Sequence, residues 1–542
     1  MVTMSAFEVL GPIMVGPSSS HTAGALRIAL VARSLAPHPL ADVEFLLYNS
    51  FSRTHAGHGT DRALVAGILG LAPDDIRVRR SFELAGEAGL DFSILEAGAD
   101  ETRHPNTVEI RMRAEGGPTL SVTGESLGGG RIRLSSIDGV PVDIAGEMPT
   151  VFVAHEDRPG VLAALTKALS GAGVNIATMR TFRHERGGAA YTVFEVDEPV
   201  DEALVGRLRE GPHVTFAAQV DVPGALVPAA SAGTDAEPAP SGAGYSFDGG
   251  AGLLGLCERG GLTIGELMRA RELSLAGGGP QGAAAADAQI SRVLEVMRDE
   301  THEALAHPRR SLGGMIGGEG AALWACAGTA RAQALLGETA TRGAAMAMAT
   351  LERSSTMGVI VAAPTAGSSG VVPGALLACA DAVGADDGAI RRALWNAAAV
   401  GAIVSTNATV AGAEGGCQAE VGTASAMAAS ALVELLGGSP AQCLDAAALA
   451  IANTLGLVCD PVSGMVEYPC QARNAMGVSV AMCSAQLALA GVSSLVPFDE
   501  VVGAMAEVGA RMPSQLRETA EGGLAATPTA RRLGCDGCGG CA

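Results

Sequence analysis

Lysine is almost missing from this chain: of 36 lysines and arginines, Lys167 is the only lysine. Chemistry that holds a carbonyl on an enzyme amine needs a lysine, and pyridoxal phosphate is the usual case. Lys167 falls in the run Leu162–Gly171, whose spacing predicts an amphipathic helix with the lysine on its solvated side, and no phosphate-binding loop stands beside it. Pyridoxal phosphate is therefore not expected as a cofactor. Aromatic residues are scarce as well, at 3% against 48% hydrophobic residues, so the core must be built from Ala, Leu, Val and Met. Positive charge is outweighed: the net charge of −21 argues against nucleic acid as a partner and against an anionic membrane surface. Met1–Gly16 has no positive segment ahead of its apolar residues, so no export signal is read there and a cytoplasmic, reducing compartment is expected. The eleven cysteines are then free thiols or metal ligands. The most apolar long stretch, Val478–Val496, is interrupted by Ser479, Ser484, Gln486, Ser493 and Ser494, which favours a buried helix over a membrane span.

What is present is organised in blocks. A length of 542 residues suggests three or four domains. The stretch Pro223–Gly250 is rich in Ala, Pro, Gly and Ser, has no period, and reads as a linker. Ahead of it, residues 1–148 read as α/β. Strands are expected at Val43–Tyr48, Thr107–Ala114, Thr119–Thr123 and Arg131–Ile137, and helices at Thr22–Leu35 and Asp61–Gly70. Residues 149–222 give the order βαββαβ, a ferredoxin-like unit with Asp157-Arg158-Pro159-Gly160 as its first strand-to-helix turn. Residues 251–542 lack strand alternation. Their Ala-, Leu- and Met-rich segments, separated by Gly/Pro/Ser loops, predict a nearly all-helical domain.

Cysteines differ by context. Cys326, Cys379, Cys443 and Cys483 lie in Ala- and Leu-rich runs and read as small buried hydrophobes. Cys417, Cys459 and Cys470 lie among glycine, proline and polar residues, where loops can aim a thiolate at a shared centre. Three thiolates are one short of the four that hold a cubane cluster, and an iron without a protein ligand can act as a Lewis acid. From the residues alone, cluster ligands and structural cysteines remain equal alternatives. The tail, Cys535-Asp536-Gly537-Cys538-Gly539-Gly540-Cys541, has metal-like spacing but is terminal and glycine-rich. A second metal clamp, a plug for the open iron and a plain thiol tail stay open.

Three polar stretches stand at helix starts. Gly16-Pro17-Ser18-Ser19-Ser20-His21-Thr22 offers hydroxyls and N–H groups suited to an anion such as a carboxylate, whereas one serine would suffice as a cap. Ser50–Asp61 reads as a loop carrying His55 and His58, and neutral imidazole is the natural general base near pH 7. Pro364-Thr365-Ala366-Gly367-Ser368-Ser369-Gly370 is a further candidate anion site, and without a Walker lysine it is not a nucleotide loop.

Taken together, these motifs resemble the bacterial iron–sulfur-dependent L-serine dehydratases, or L-serine ammonia-lyases. The likeness rests on Gly16–Thr22, Gly57-His58-Gly59-Thr60-Asp61, Ala363–Gly370 and the intervals between Cys417, Cys459 and Cys470. It implies a β-type domain over 1–148, an ACT regulatory domain over 149–222 and an α-type domain over 251–542. It implies a [4Fe–4S] cluster on Cys417, Cys459 and Cys470, with L-serine as substrate. The α-proton would go to His21, His55 or His58, or to a serine alkoxide. The substrate carboxylate would meet Ser18, Ser19, Ser20, Thr22 and Thr60, shared with Thr365, Gly367, Ser368 and Ser369. An amino-acid effector would bind near Gly160 and Asn175, and the assembly would be a homo-oligomer, dimer or tetramer. In some relatives the α and β parts are separate chains, and in some a terminal cysteine caps the open iron. The stretch Glu518–Ala525 resembles the branch without that cysteine, so the capping role is not carried onto Cys541. Rival readings are a non-catalytic iron–sulfur sensor of amino acids and a hydro-lyase of another 3-hydroxy acid such as threonine. One methyl group changes binding by only about 1–3 kcal/mol, so residue types alone do not separate serine from threonine.

Overall fold

The computed structural model describes residues 4–36, 39–114, 116, 117, 119–146, 148–220, 242–275 and 278–537. Two compact units emerge: the described residues from 20 to 220, and those up to 19 together with those from 242 onward. The expected multidomain class is borne out, with an α/β region, a ferredoxin-like ACT region and a mostly helical carboxy-terminal region. Most of the expected linker, 223–241, lies outside the described residues. Its last part is structured: Gly242–Tyr245 forms a short 3-10 turn, Phe247 is buried, and a helix begins at Gly250.

In the first of these units, a six-stranded sheet runs in the order Asp91–Gly98, Leu40–Tyr48, Thr107–Ala114, Thr119–Gly128, Arg131–Ile137, Val140–Ile144. Only the first pair is parallel; the others are antiparallel. Inward residues such as Val43, Phe45, Leu47, Ile110 and Val122 are fully buried beneath the helices Ala25–Ser34 and Thr60–Ile68. Two strands went unread in the sequence, Asp91–Gly98 and Val140–Ile144. The first is an edge strand with mostly exposed side chains, so its alternation is faint. The stretch Asn49–His58, read as a loop, is a helix. Gly59 at φ 63° closes it and the next helix starts at Thr60, so polar composition concealed two short helices meeting at one glycine.

The ACT region pairs its strands in the order Val214–Val220, Thr150–Glu156, Ala189–Val196, Ile176–Arg183. Val151, Val153, Phe194, Val196 and Ala217 pack under Leu165 and Leu169 of one helix and Leu204 and Leu208 of the other. Lys167 is exposed on the helix Val161–Gly171, as its spacing predicted.

The helical unit is centred on Thr423–Leu435, which is buried from Thr423 to Val433. A helix apolar all round needs neighbours on every side. These are Val371–Val383, Asp387–Asn407, Pro440–Ala452 and Cys470–Leu489. Alanine and glycine allow the close approach: a Cβ on Gly374 would lie 2.6 Å from the Gly343 carbonyl oxygen. The amino terminus belongs to this unit. Phe7 packs edge-on against Trp395 at 5.4 Å between ring centroids, and Ile13–Val15 pairs antiparallel with Val359–Val361. The expected helix over Val478–Val496 ends at Leu489, and Leu495 is 97% exposed. Among the described residues, one segment, Ala366–Val383, is long and apolar enough to cross a membrane by length and composition; most of it is buried in the bundle.

Candidate active site

In the α/β unit the first two sequence motifs come together. Ser19–Gly24 forms a π-helical turn that feeds the helix Ala25–Ser34, and such turns widen a helix start and re-aim its side chains. Thr22 Oγ1 donates to the His58 carbonyl at 2.7 Å and ties this turn to the end of the helix Asn49–His58. His21 and His58 meet edge-to-face with ring centroids 4.4 Å apart, and Phe51 packs on His21 at 5.2 Å. His21 is 2% exposed and His58 1%. One His21 nitrogen, Nδ1, lies 2.9 Å from Ser20 Oγ; the other, Nε2, lies 2.9 Å from Ser50 Oγ. A neutral imidazole has one donor and one acceptor nitrogen, so it takes a hydrogen bond from one serine hydroxyl and gives one to the other. Burial, with the His58 ring beside it, holds the His21 pKa well below its ordinary value. The ring is thus a neutral acceptor at pH 7. Thr60 Oγ1 is fully buried in the same helix junction with no hydrogen-bond partner. His55 is not part of this cluster. Its Nε2 faces Glu96 at 3.2 Å and its Nδ1 faces Asp61 at 3.9 Å, on a half-buried flank.

In the helical unit three cysteines converge from separate chain turns. Cys417 precedes a second π-helical turn, Gln418–Gly422, at the head of the central helix. Cys459 lies in an extended segment whose N–H donates to the Leu516 carbonyl and whose carbonyl accepts from the Glu518 N–H. Cys470 opens the helix Cys470–Leu489. All three are buried, at 3%, 3% and 7% exposure. The sulfurs of Cys417 and Cys459 and a carboxylate oxygen of Glu420 lie within 4.8 Å of one another. A hydrogen bond with Cys417, then burial, pushes the Cys459 thiol well up; burial, then the charge of Cys417, does the same to Cys470. Burial also raises Glu420, and burial with repulsion from Glu420 raises Glu518 to about 8. Arg473 is raised, as the Cys417 and Asp460 charges outweigh its burial; it holds Asp460 at 2.7 Å. The soft sulfur donors Cys417 and Cys459, gathered in a buried site with Cys470 opening the next helix, are a donor set that suits an iron–sulfur centre. Tail cysteines 538 and 541 lie outside the described residues, and of Cys535 only the backbone, in the helix Pro528–Gly537, is described.

The loop Thr365–Gly370 abuts this centre. Thr365 Oγ1 donates to Glu420 at 2.8 Å and lies 3.1 Å from Ser368 Oγ; Ser369 Oγ donates to the Ala366 carbonyl at 2.8 Å. Asn474 locks the loop to the Cys470 helix. Its Oδ1 accepts from the Gly370 N–H at 3.1 Å, and its Nδ2 donates to the Gly367 and Cys470 carbonyls at 2.8 and 2.9 Å. Ser18 and Ser19, expected beside Ser20, are buried at 5% and 7%. Sequence reading missed Glu420, Glu518, Asn474 and Arg473. The available signal for Glu420 was a lone acidic residue inside the apolar run after Cys417.

At the ACT turn, Gly160 has φ 94° and opens the helix Val161–Gly171; a Cβ there would meet nothing within 4 Å. Asn175 Nδ2 donates to Asp197 at 2.7 Å, and Asp157 accepts from the Gly187 N–H at 3.0 Å.

Three family descriptions match the chain: "Serine dehydratase beta chain" over residues 5–88, "ACT domain" over 150–210 and "Serine dehydratase alpha chain" over 243–525. The "L-serine dehydratase" of Streptomyces coelicolor is 30% identical over 539 residues, covering 97% of this chain and 99% of that one. The "L-serine dehydratase, beta chain" of Peptoniphilus asaccharolyticus is 41% identical over 222 residues, which is 41% of this chain and all of that one. The "Probable L-serine dehydratase, alpha chain" of Bacillus subtilis is 56% identical over 174 residues, 32% of this chain, and the match spans 58% of that relative. With both chain types and the ACT region matched in one polypeptide, and a near-full-length relative at 30% identity, this chain belongs to the serine dehydratase family.

Proposed function

We propose that this chain is an L-serine ammonia-lyase, converting L-serine to pyruvate and ammonia with a [4Fe–4S] cluster held by Cys417, Cys459 and Cys470. The observation that carries this reading is the gathering of the buried Cys417 and Cys459 sulfurs with Glu420 beside the Thr365–Gly370 loop, with Cys470 buried at the start of the neighbouring helix. When bound, the cluster supplies an iron without a cysteine ligand, a Lewis acid suited to a poor hydroxyl leaving group. The residues of the chain supply the rest. The Ser368 hydroxyl of the loop is assigned to the substrate carboxylate and stabilises the charge that spreads into it as the α-proton leaves, while the Thr365 hydroxyl is held by Glu420. The proton acceptor is assigned to His21, because its ring is held neutral and fixed by Ser20 and Ser50. Such a base contributes about a hundred- to ten-thousand-fold. Loss of water leaves aminoacrylate, which tautomerises and hydrolyses to pyruvate and ammonia. Burial of the centre keeps bulk water from the thiols and strengthens each polar contact there. An amino-acid effector is assigned to the ACT turn, where Gly160 leaves open space and Asn175 and Asp157 stand nearby.

The test is protein prepared without air and assayed for iron, sulfide and pyruvate formation from L-serine. Cys417→Ser, Cys459→Ser and Cys470→Ser should each lose the cluster absorbance and turnover. Cys326→Ser should keep both, since its sulfur only donates to the Leu323 carbonyl, a bond that serine can repeat. His21→Ala should keep the absorbance and lose turnover by about a hundredfold or more. Full turnover by iron-free protein would end the reading.

A further inference from the structure

L-serine carries three polar groups, and the assignments above account for two of them, the hydroxyl and the carboxylate. The third, the α-ammonium, is a cation. Taking it out of water into a buried centre needs an anion already in place. Most carboxylates around the centre are fully engaged. Asp460 accepts from Arg473 at 2.7 Å through one oxygen and from the Leu524 N–H at 2.6 Å through the other. Glu467 accepts from Ser311 Oγ and from the Gly313 and Met315 N–H groups. Glu352 accepts from the Gly318 and Gly320 N–H groups and from Gln471. These carboxylates hold loops in place.

Glu420 differs. Its partners are one hydroxyl, Thr365 Oγ1 at 2.8 Å, and the Cys459 sulfur at 3.9 Å. Among the described residues no arginine, lysine or histidine forms an ion pair with it, and Arg473 is committed to Asp460. Two glycine backbones pack closely against its oxygens, at positions where a side chain would collide with them. A Cβ on Gly367 would lie 3.1 Å from Oε1, and one on Gly412 would lie 2.6 Å from Oε2 and 3.4 Å from Cys459 Sγ. The carboxylate therefore stands between the thiol centre and the hydroxyl-rich loop, one hydrogen bond from Thr365. An α-amino acid has matching polarity: its ammonium and carboxylate diverge from a single carbon. With the carboxylate on the loop, the ammonium falls to the neighbouring anion.

We infer that Glu420 binds the α-ammonium group of the substrate and is the residue that selects amino acids over plain hydroxy acids. This rests on the proposed function and adds the missing contact to it. The pairing is between full charges, so its loss reads as about tenfold or more in affinity.

The test compares ligands that differ only in the amino group, titrated calorimetrically into cluster-containing protein without air. L-alanine and propanoate lack the hydroxyl and cannot eliminate water; 3-hydroxypropanoate keeps the hydroxyl and lacks the ammonium. The wild type should bind L-alanine at least tenfold more tightly than propanoate. Glu420→Gln should bring that ratio to within twofold and raise the KM for L-serine by tenfold or more. It should leave 3-hydroxypropanoate bound as well as before, or better, because no carboxylate is left unpaired. If glutamine at 420 costs the cluster, Glu420→Asp decides: the withdrawn carboxylate should reduce the preference at least threefold at full iron content. A wild type without preference for L-alanine, or a preference that ignores both substitutions, overturns the inference. Turnover of L-serine by the same wild-type preparation is measured alongside. Its absence would sink the proposed function; its presence with an indifferent Glu420 would sink this inference alone.

Discussion

His21 sits at full burial between two serine hydroxyls and two aromatic faces, and that environment makes a prediction about pH. Burial and the His58 ring depress its pKa in the folded protein. The unfolded chain takes up a proton on this imidazole near pH 6.5, while the folded chain does so only at lower pH. Between those values the unfolded state binds more protons, so stability is complete above about pH 6.5 and is lost as pH falls towards the folded value. Thermal unfolding measured from pH 7 to pH 5 should therefore fall more steeply for the wild type than for His21→Gln. Parallel slopes would mean the ring is not held neutral. At this scale the sequence was most legible where residues broke their surroundings' pattern. Cys417 and Cys459, flanked by glycine and proline, lie together with Glu420, whereas Cys443, in an alanine run, is a buried core thiol and Cys483, read in the same way, is exposed. Glu420 and Asn474 were illegible because their roles depend on the Thr365–Gly370 loop, which comes to them from more than fifty residues away. His55 and His58 look alike in sequence, yet three residues of helix turn one towards Glu96 and the other towards His21.

At the scale of elements, both polar clusters are built where a helix begins irregularly. Ser19–Gly24 and Gln418–Gly422 are π-helical turns, each continuing into a regular helix. Hydrophobic spacing reports the regular part and says nothing of an extra residue in the first turn, so the helix after Ser19–Gly24 was foreseen, the one after Gln418–Gly422 only as part of a helical region, and neither turn was. The same limit explains Asn49–His58, whose polar composition hides a helix that Gly59 ends at positive φ. Asn474 shows how one side chain can join two elements. Replacing it with alanine leaves the Gly370 N–H and the Gly367 carbonyl without their buried partner. Such a loss costs about 1–3 kcal/mol for each unsatisfied group. Asn474→Ala should lower the thermal midpoint by several degrees and raise the KM for L-serine more than it lowers kcat, since the loop loosens while the cysteines remain. An unchanged KM would show that the loop does not touch substrate.

Across the whole molecule, the order of α/β, ferredoxin-like and helical regions could be read from changes of period. The place of the first nineteen residues could not, because their partner strand is three residues long and more than three hundred residues distant. Regulation belongs to this scale too. The ACT region is fastened to the six-stranded sheet by Tyr191, whose hydroxyl donates to Asp138 at 3.2 Å, and by an ion pair between Arg180 and Asp143. The strands Val140–Ile144 and Ile176–Arg183 lie side by side there. If an effector at the ACT turn alters catalysis, these contacts, with the packing of the strand Val214–Val220 on the helix Ala25–Ser34, are routes out of the domain. The exposed ion pair and the half-buried hydroxyl bond carry at most about 1 kcal/mol each, so together they transmit a coupling of up to about thirtyfold. A chain with Tyr191→Phe and Arg180→Ala should then keep L-serine turnover while its saturation curve becomes hyperbolic, with half-saturation moving by up to about thirtyfold. L-serine serves as the effector probe, read by initial rates over a wide concentration range. A wild-type curve that is already hyperbolic, or a sigmoid untouched by both substitutions, would assign the ACT region to assembly and remove it from control of the reaction.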